Sequence, residues 1–105
     1  MSMQALLEKL EGPNERCGFI LKDGSIVEIE NVAPEPQHSF LAKGEDILRY
    51  IDDAAATWHT HPGGSSNLSV GDAETFKFWP DCLHHIVGED GVSTYEVRNQ
   101  TVMRV

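Results

Sequence analysis

His59-Thr60-His61-Pro62-Gly63-Gly64-Ser65-Ser66-Asn67-Leu68-Ser69-Val70-Gly71-Asp72 is the stretch on which the reading of this chain turns. Thr57-Trp58-His59-Thr60-His61 has strand composition, and side chains alternate along a strand, so His59 and His61 point to one face and Thr60 to the other. Pro62 has no N–H with which to continue a central strand, and Gly63-Gly64-Ser65-Ser66-Asn67 is loop chemistry, so the chain turns back after the second histidine. Ser69 has N-cap character. Asp72, three residues on, falls in the first turn of the helix that Ser69 opens, where a carboxylate is favoured and folds back toward the histidines.

Two neutral imidazoles and one carboxylate make a divalent-metal site, with zinc the best match, and three protein ligands leave the fourth tetrahedral position open. An open position marks a catalytic site, whereas a structural zinc site wants four ligands and more cysteine. The competing interpretation is an exposed loop whose histidines have no partner, which is what a bare His-X-His pair usually means. The full spacing is His-X-His, seven residues, Ser, two residues and Asp. It resembles the signature of the JAMM (MPN+, Mov34) metallopeptidase family, with every defining position filled and the proline after the second histidine also present. The resemblance implies Zn2+ held by His59, His61 and Asp72, and a Ser69 hydroxyl that donates a hydrogen bond to the oxyanion of the tetrahedral intermediate. Capping alone is the simpler role for Ser69, and the two are compatible.

Working outward, the chain of 105 residues is expected to form one domain, residues 1 to 105, with a single modest core. Its 8 Lys and Arg against 17 Asp and Glu give a formal charge of −9, which argues against nucleic acid and anionic membrane as partners and favours a neutral or basic one. No apolar run is long enough to span a bilayer and the N-terminus lacks the pattern of a secretory signal, so the cytoplasm is the expected compartment, or the virion if the chain is phage-encoded. Cys17 and Cys82 are too few for a disulfide framework. Buried thiols are the expectation, with a mutual disulfide or a metal role for Cys17 as alternatives.

Apolar residues at Met3, Leu6, Leu7 and Leu10 predict a short helix from Ser2 to Leu10. Strands are expected from Glu15 to Leu21 and from Ser25 to Val32 across an Asp23-Gly24 turn. Two prolines make residues 31 to 38 a loop, and Ser39-Phe40-Leu41 a brief strand or turn. A second helix is expected from Glu45 to Asp53, burying Ile47, Leu48, Tyr50 and Ile51; the histidine strand follows from about Ala55, and a third helix from Ser69 to Phe78 is stopped by Pro80. Phe76 and Trp79 are its anchors. Antiparallel strands over 83–87, 92–97 and 101–105 close the chain, with His38, His84 and His85 read as surface or strand residues. The order predicts an α+β domain, a mixed and mostly antiparallel curved sheet with helices packed on it. The JAMM resemblance, which spans Glu15 to Val97, implies the same fold, with layering like that of cytidine deaminases.

Hydrolysis at such a metal needs a base to accept the proton of an activated water and pass it to the leaving amine. The candidates are Glu15, Glu28, Glu30, Glu35 and Glu45, with Glu74 two residues past the ligand and on another face of its helix. Glu15 precedes the apolar run Cys17-Gly18-Phe19-Ile20-Leu21, and a strand end at a sheet rim can meet the histidines. The family places its base in a Glu-X-Cys-Gly context like Glu15-Arg16-Cys17-Gly18. The resemblance therefore implies a peptidase or isopeptidase, a compact member of the kind found in prokaryotes and in phage tail-assembly proteins. Its partner would be a protein or peptide substrate such as a ubiquitin-like or sulfur-carrier protein, or a phage tail protein. The alternative is a non-catalytic MPN-type interaction module, although such modules usually lose the histidines or the aspartate.

Overall fold

A computed structural model describes residues 2–105. Helix α1 (Met3–Leu7) leads into strands β1 (Cys17–Leu21) and β2 (Ile26–Ile29); α2 (Gly44–Tyr50) and a 3-10 turn (Ile51–Asp53) follow. Then come β3 (Ala54–Thr60), α3 (Val70–Phe76), β4 (Leu83–Gly88), β5 (Gly91–Arg98) and β6 (Thr101–Arg104). The six strands form one sheet in the order β2-β1-β3-β4-β5-β6. Only β3 and β4 run parallel, joined through α3 as a parallel pair requires, and every other neighbour is antiparallel. The α+β class and the mixed sheet are as the sequence predicts.

Alternation along the strands gives the sheet two apolar faces. On one, Leu6 of α1 packs against Ile20, Ala56, Trp58 and Val87. On the other, Cys17, Phe19, Ile29, Ala54 and Cys82 meet partly buried residues of α2, and Phe76 of α3 meets Ile86 and Tyr95. His59 lies on this second face. Gly18 is required on the first, because a Cβ there would collide with the Val27 carbonyl and the Trp58 indole. Among the described residues no helix is long and apolar enough to cross a membrane.

Several expected boundaries shift, each for a local reason. α1 ends at Leu7 rather than Leu10, and Lys9 and Leu10 bond back three residues, the tightened geometry of a frayed helix end. In α2, Ile47, Tyr50 and Ile51 follow the i, i+3, i+4 rule and face the core, so Leu48, one residue off that stripe, points outward and is 76% exposed. The expectation that Leu48 is buried is thus corrected. α3 stops at Phe76, leaving Phe78 exposed beyond it. β3 begins at Ala54 despite the helical preference of alanine, since a strand flanked by β1 and β4 is set by its pairing. β2 ends at Ile29; beyond it the Asn31 side chain organises the loop, donating to the carbonyls of Glu15 and Ser39 and accepting from the Ala33 and Leu41 amides.

Candidate metal centre

The site is assembled by three backbone devices. First, β1 and β3 pair with Cys17 opposite His59, and the Thr60 N–H donates to the Arg16 carbonyl at 2.9 Å, so the same register carries Glu15 alongside His61. The Glu15 amide is fixed to the Pro36 carbonyl at 2.7 Å. Second, the loop after Pro62 is pinned to the end of the sheet: the Ser66 amide donates to Asp90 at 2.7 Å, the Ser66 and Ser93 hydroxyls bond at 2.6 Å, and the Tyr95 hydroxyl donates to the Ser66 carbonyl at 2.9 Å. Gly88 lies directly under this loop, where a Cβ would collide with Ser65 and Ser66. Third, Ser69 caps α3 in a reciprocal box. Its Oγ accepts from the Asp72 amide at 3.0 Å, and the Asp72 carboxylate accepts from the Ser69 amide at 3.3 Å.

Together these devices bring His59, His61 and Asp72 into contact. The two Nε2 atoms are 3.1 Å apart; Asp72 Oδ1 is 3.0 Å from the first and Oδ2 3.1 Å from the second. Glu15 presents a carboxylate oxygen within 4.8 Å of a ring nitrogen of each histidine. His61 Nδ1 donates to the Ser65 carbonyl at 2.8 Å; Nε2, which faces Asp72 at 3.1 Å, would offer its lone pair to an ion in place of the proton it otherwise shares with that carboxylate. Thr60 points to the opposite face, where its hydroxyl accepts from the Arg16 amide at 2.9 Å.

A zinc ion with bonds of about 2.0–2.1 Å separates tetrahedral ligands by about 3.3–3.4 Å. The donor atoms at 3.0–3.1 Å would therefore need to part by only a few tenths of an ångström. Two imidazole nitrogens and a carboxylate also suit zinc by ligand type, so the residues fit the metal. Glu15, His59 and His61 form a group whose ligand atoms lie mutually within 4.8 Å, while Asp72 touches the two rings more closely, through a different oxygen on each. Cys17 stays outside this group, its buried thiol pushed up to about 12 by burial and by Glu28 and Glu15 nearby. Both cysteines are free.

The electrostatics sort the two carboxylates. Burial would raise Asp72, but hydrogen bonds from His59 and His61 and the charges around it hold it well below the usual carboxylate range. Glu15, 8% exposed and without such donors, is pushed by burial up to about 7, with His61 opposing and Asp72 adding to the rise. Burial lowers His59, while the hydrogen bond to Asp72 raises His61. The two carboxylates are thus shifted in opposite directions, Asp72 toward the ionised form and Glu15 toward the protonated one.

The candidates Glu28, Glu30, Glu35 and Glu45 all lie elsewhere: Glu28 is paired with Arg16 at 2.6 Å and Glu30 with Lys43 at 3.3 Å, while Glu35, Glu45 and Glu74 are exposed. Two features escaped sequence reasoning. Phe40 stacks on His59 with ring centroids 4.5 Å apart, and His38 and Ser39 beside it line the cleft that holds Glu15, His61, Ser69 and Asp72. Nothing in the local pattern of 38–40 signals this, because the placement depends on Asn31 tying the loop back.

His84 and His85 are buried strand residues, and the surface alternative is corrected. His85 bonds the Thr94 hydroxyl at 2.8 Å. His84 stacks on Phe76 at 4.1 Å, with Nδ1 to Thr57 Oγ1 at 2.6 Å and Nε2 to the Trp79 carbonyl at 3.0 Å. Burial holds His84 at about 4, against the pull of the Trp79 carbonyl. Between the unfolded value near 6.5 and about 4, the unfolded chain binds the extra proton, so stability rises with pH across that window and is lost as pH falls through it. The loss should reach about 3 kcal/mol by pH 4. Urea melts from pH 7 to 4 of the wild type and of His84→Gln should show a shallower slope in the variant, which retains the contributions of the buried His59 and His85; equal slopes would contradict it.

No protein-family model matches the chain, and no curated protein does. Among solved structures it is similar to the solution structure of protein DSY2949 from Desulfitobacterium hafniense, with a TM-score of 0.75 at 18% identity over 98% of this chain and 84% of that one. At that identity the likeness speaks to the fold alone.

Proposed function

We propose that the protein is a zinc-dependent hydrolase of peptide or isopeptide bonds of the JAMM type, with a protein or peptide substrate, such as a ubiquitin-like, sulfur-carrier or phage tail protein. The observation that carries this reading is the convergence of His59, His61 and Asp72 around one point with Glu15 beside them at the end of a cleft. His59, His61 and Asp72 would hold the ion. When bound, zinc supplies Lewis acidity, polarising a carbonyl and making water a stronger acid.

The chain's own groups supply the rest. Glu15 is buried, free of strong hydrogen-bond donors and poised near neutrality, so it can take a proton from water and return it to the departing amine. Ser69 Oγ is occupied as an acceptor by the Asp72 amide, which leaves its O–H free to donate toward a developing oxyanion. Ser65 and the α3 cap hold His61 and Asp72 in place without further rearrangement. Glu15 lines the same cleft as His61, Ser69 and Asp72, which favours catalysis over a purely scaffolding role.

The reading is tested by incubating the protein with a mixed library of short peptides and lysine-linked isopeptides and following amine release. Release should stop on treatment with a chelator and return on adding one equivalent of zinc. Release that is indifferent to the chelator would rule the proposal out.

A further inference from the structure

A second cavity lies behind the metal centre on the same face of the sheet. It has a volume of about 200 Å³ and is lined chiefly by apolar groups, among them Phe19, Phe40, Ala42, Ile47, Phe76 and Trp79. His59 forms part of its wall. Phe40 and Thr75 line both this cavity and the polar cleft of Glu15, His61, Ser69 and Asp72, so the two spaces adjoin across those side chains.

Much of the polar lining of the cavity is already committed. The Thr57 hydroxyl and His84 Nδ1 bond each other at 2.6 Å, and His84 Nε2 is taken by the Trp79 carbonyl at 3.0 Å. A polar occupant would lose its water and find few free partners, whereas an apolar one would lose nothing. An engineered apolar cavity of about 150 Å³ is enough to hold benzene, so this space accommodates a phenyl or isobutyl group. The wall is formed in part by the Phe40 loop, which Asn31 fixes in place, so the cavity is largely pre-formed.

We propose that this cavity is the specificity pocket of the proposed hydrolase, receiving a leucine- or phenylalanine-sized apolar side chain from the residue beside the amide bond held at the metal centre. This rests on the hydrolase reading for what is bound, and on the cavity alone for its selectivity. Phe40, between the two spaces, packs against both the incoming side chain and His59.

The test reads binding rather than turnover. Toluene is titrated into the protein as purified, followed by NMR at the Phe76, Trp79 and His84 rings. Capped dipeptides carrying Phe, Leu, Ala, Asp or Lys on either side of glycine are then titrated into Glu15→Gln protein. Toluene should saturate these signals, and the best Phe or Leu dipeptide should bind roughly 10- to 100-fold tighter than its Ala, Asp or Lys counterpart. Ala42→Phe, which fills the space, and Thr75→Phe, which narrows its mouth from an exposed position, should each abolish both effects. Failure of toluene to bind, or dipeptides bound without regard to side chain, would overturn the pocket. Selective binding with no hydrolysis by the wild type would leave the pocket standing and sink the hydrolase reading instead.

Discussion

A His59→Ala, His61→Ala double variant is expected to purify free of zinc, while the wild type, prepared without added metal, carries about one equivalent. Both imidazoles point to one spot, and their Nε2 atoms already stand 3.1 Å apart. Removing both takes away two of the three proposed ligands, so the loss should go well beyond the roughly 10- to 100-fold that follows removal of a residue which only orients a ligand. Elemental analysis after dialysis measures this directly. The variant also leaves Asp72, 7% exposed, with the Ser69 amide as its remaining partner, a burial of charge that lowers stability by several kcal/mol at most. Urea melts of Asp72→Asn and of the double variant therefore belong beside the metal analysis. A folded double variant that still holds an equivalent of zinc would place the metal elsewhere.

Glu15→Gln is the second large effect. Its carboxyl lies within 4.8 Å of both histidine nitrogens but makes no contact like the 3.0 and 3.1 Å contacts of Asp72. The variant should keep its zinc and lose roughly 10²- to 10⁴-fold in kcat, the range associated with general acid–base groups. Asp72→Asn should behave in the opposite order, losing metal first and activity as a consequence. If both variants lose zinc alike, Glu15 is a ligand as well as Asp72; if Glu15→Gln loses zinc and Asp72→Asn keeps it, the assignment of base and ligand must be exchanged. Metal content and turnover measured on the same samples separate these cases.

The site was more legible in the sequence than the sheet that carries it. Strand alternation places His59 and His61 on one face and the N-cap rule turns Asp72 toward them, while Glu15 is singled out among the candidate glutamates by its place before an apolar strand and by the family resemblance; the fold brings the histidines and Asp72 into contact, with Glu15 within 4.8 Å of both rings. Local rules suffice there because each candidate side chain is at most one turn or one strand pairing from the next. They fail where long-range contacts decide. The parallel pairing of β3 with β4 depends on α3 crossing over the sheet, which no pattern in residues 83–88 reveals. His84 and His85 look polar in sequence, yet a strand with neighbours on both sides buries both, and each finds a hydroxyl partner across the strand pair. Leu48 erred in the other direction: any apolar residue in a short helix is readily assigned to the core, but the face is fixed by Ile47, Tyr50 and Ile51 together. Phe40 could be placed only by knowing that Asn31 holds its loop.

The central claim, that His59, His61 and Asp72 share one ion with Glu15 a single water away, is tested most directly by anomalous diffraction at the zinc edge from crystals of the zinc-loaded protein. The account predicts one peak at about 2.0–2.2 Å from His59 Nε2, His61 Nε2 and an Asp72 oxygen, with the Glu15 carboxylate beyond bonding distance but within reach of a water at the fourth position. A peak bound by Glu15 in place of Asp72, or one found away from the two histidines, would contradict it.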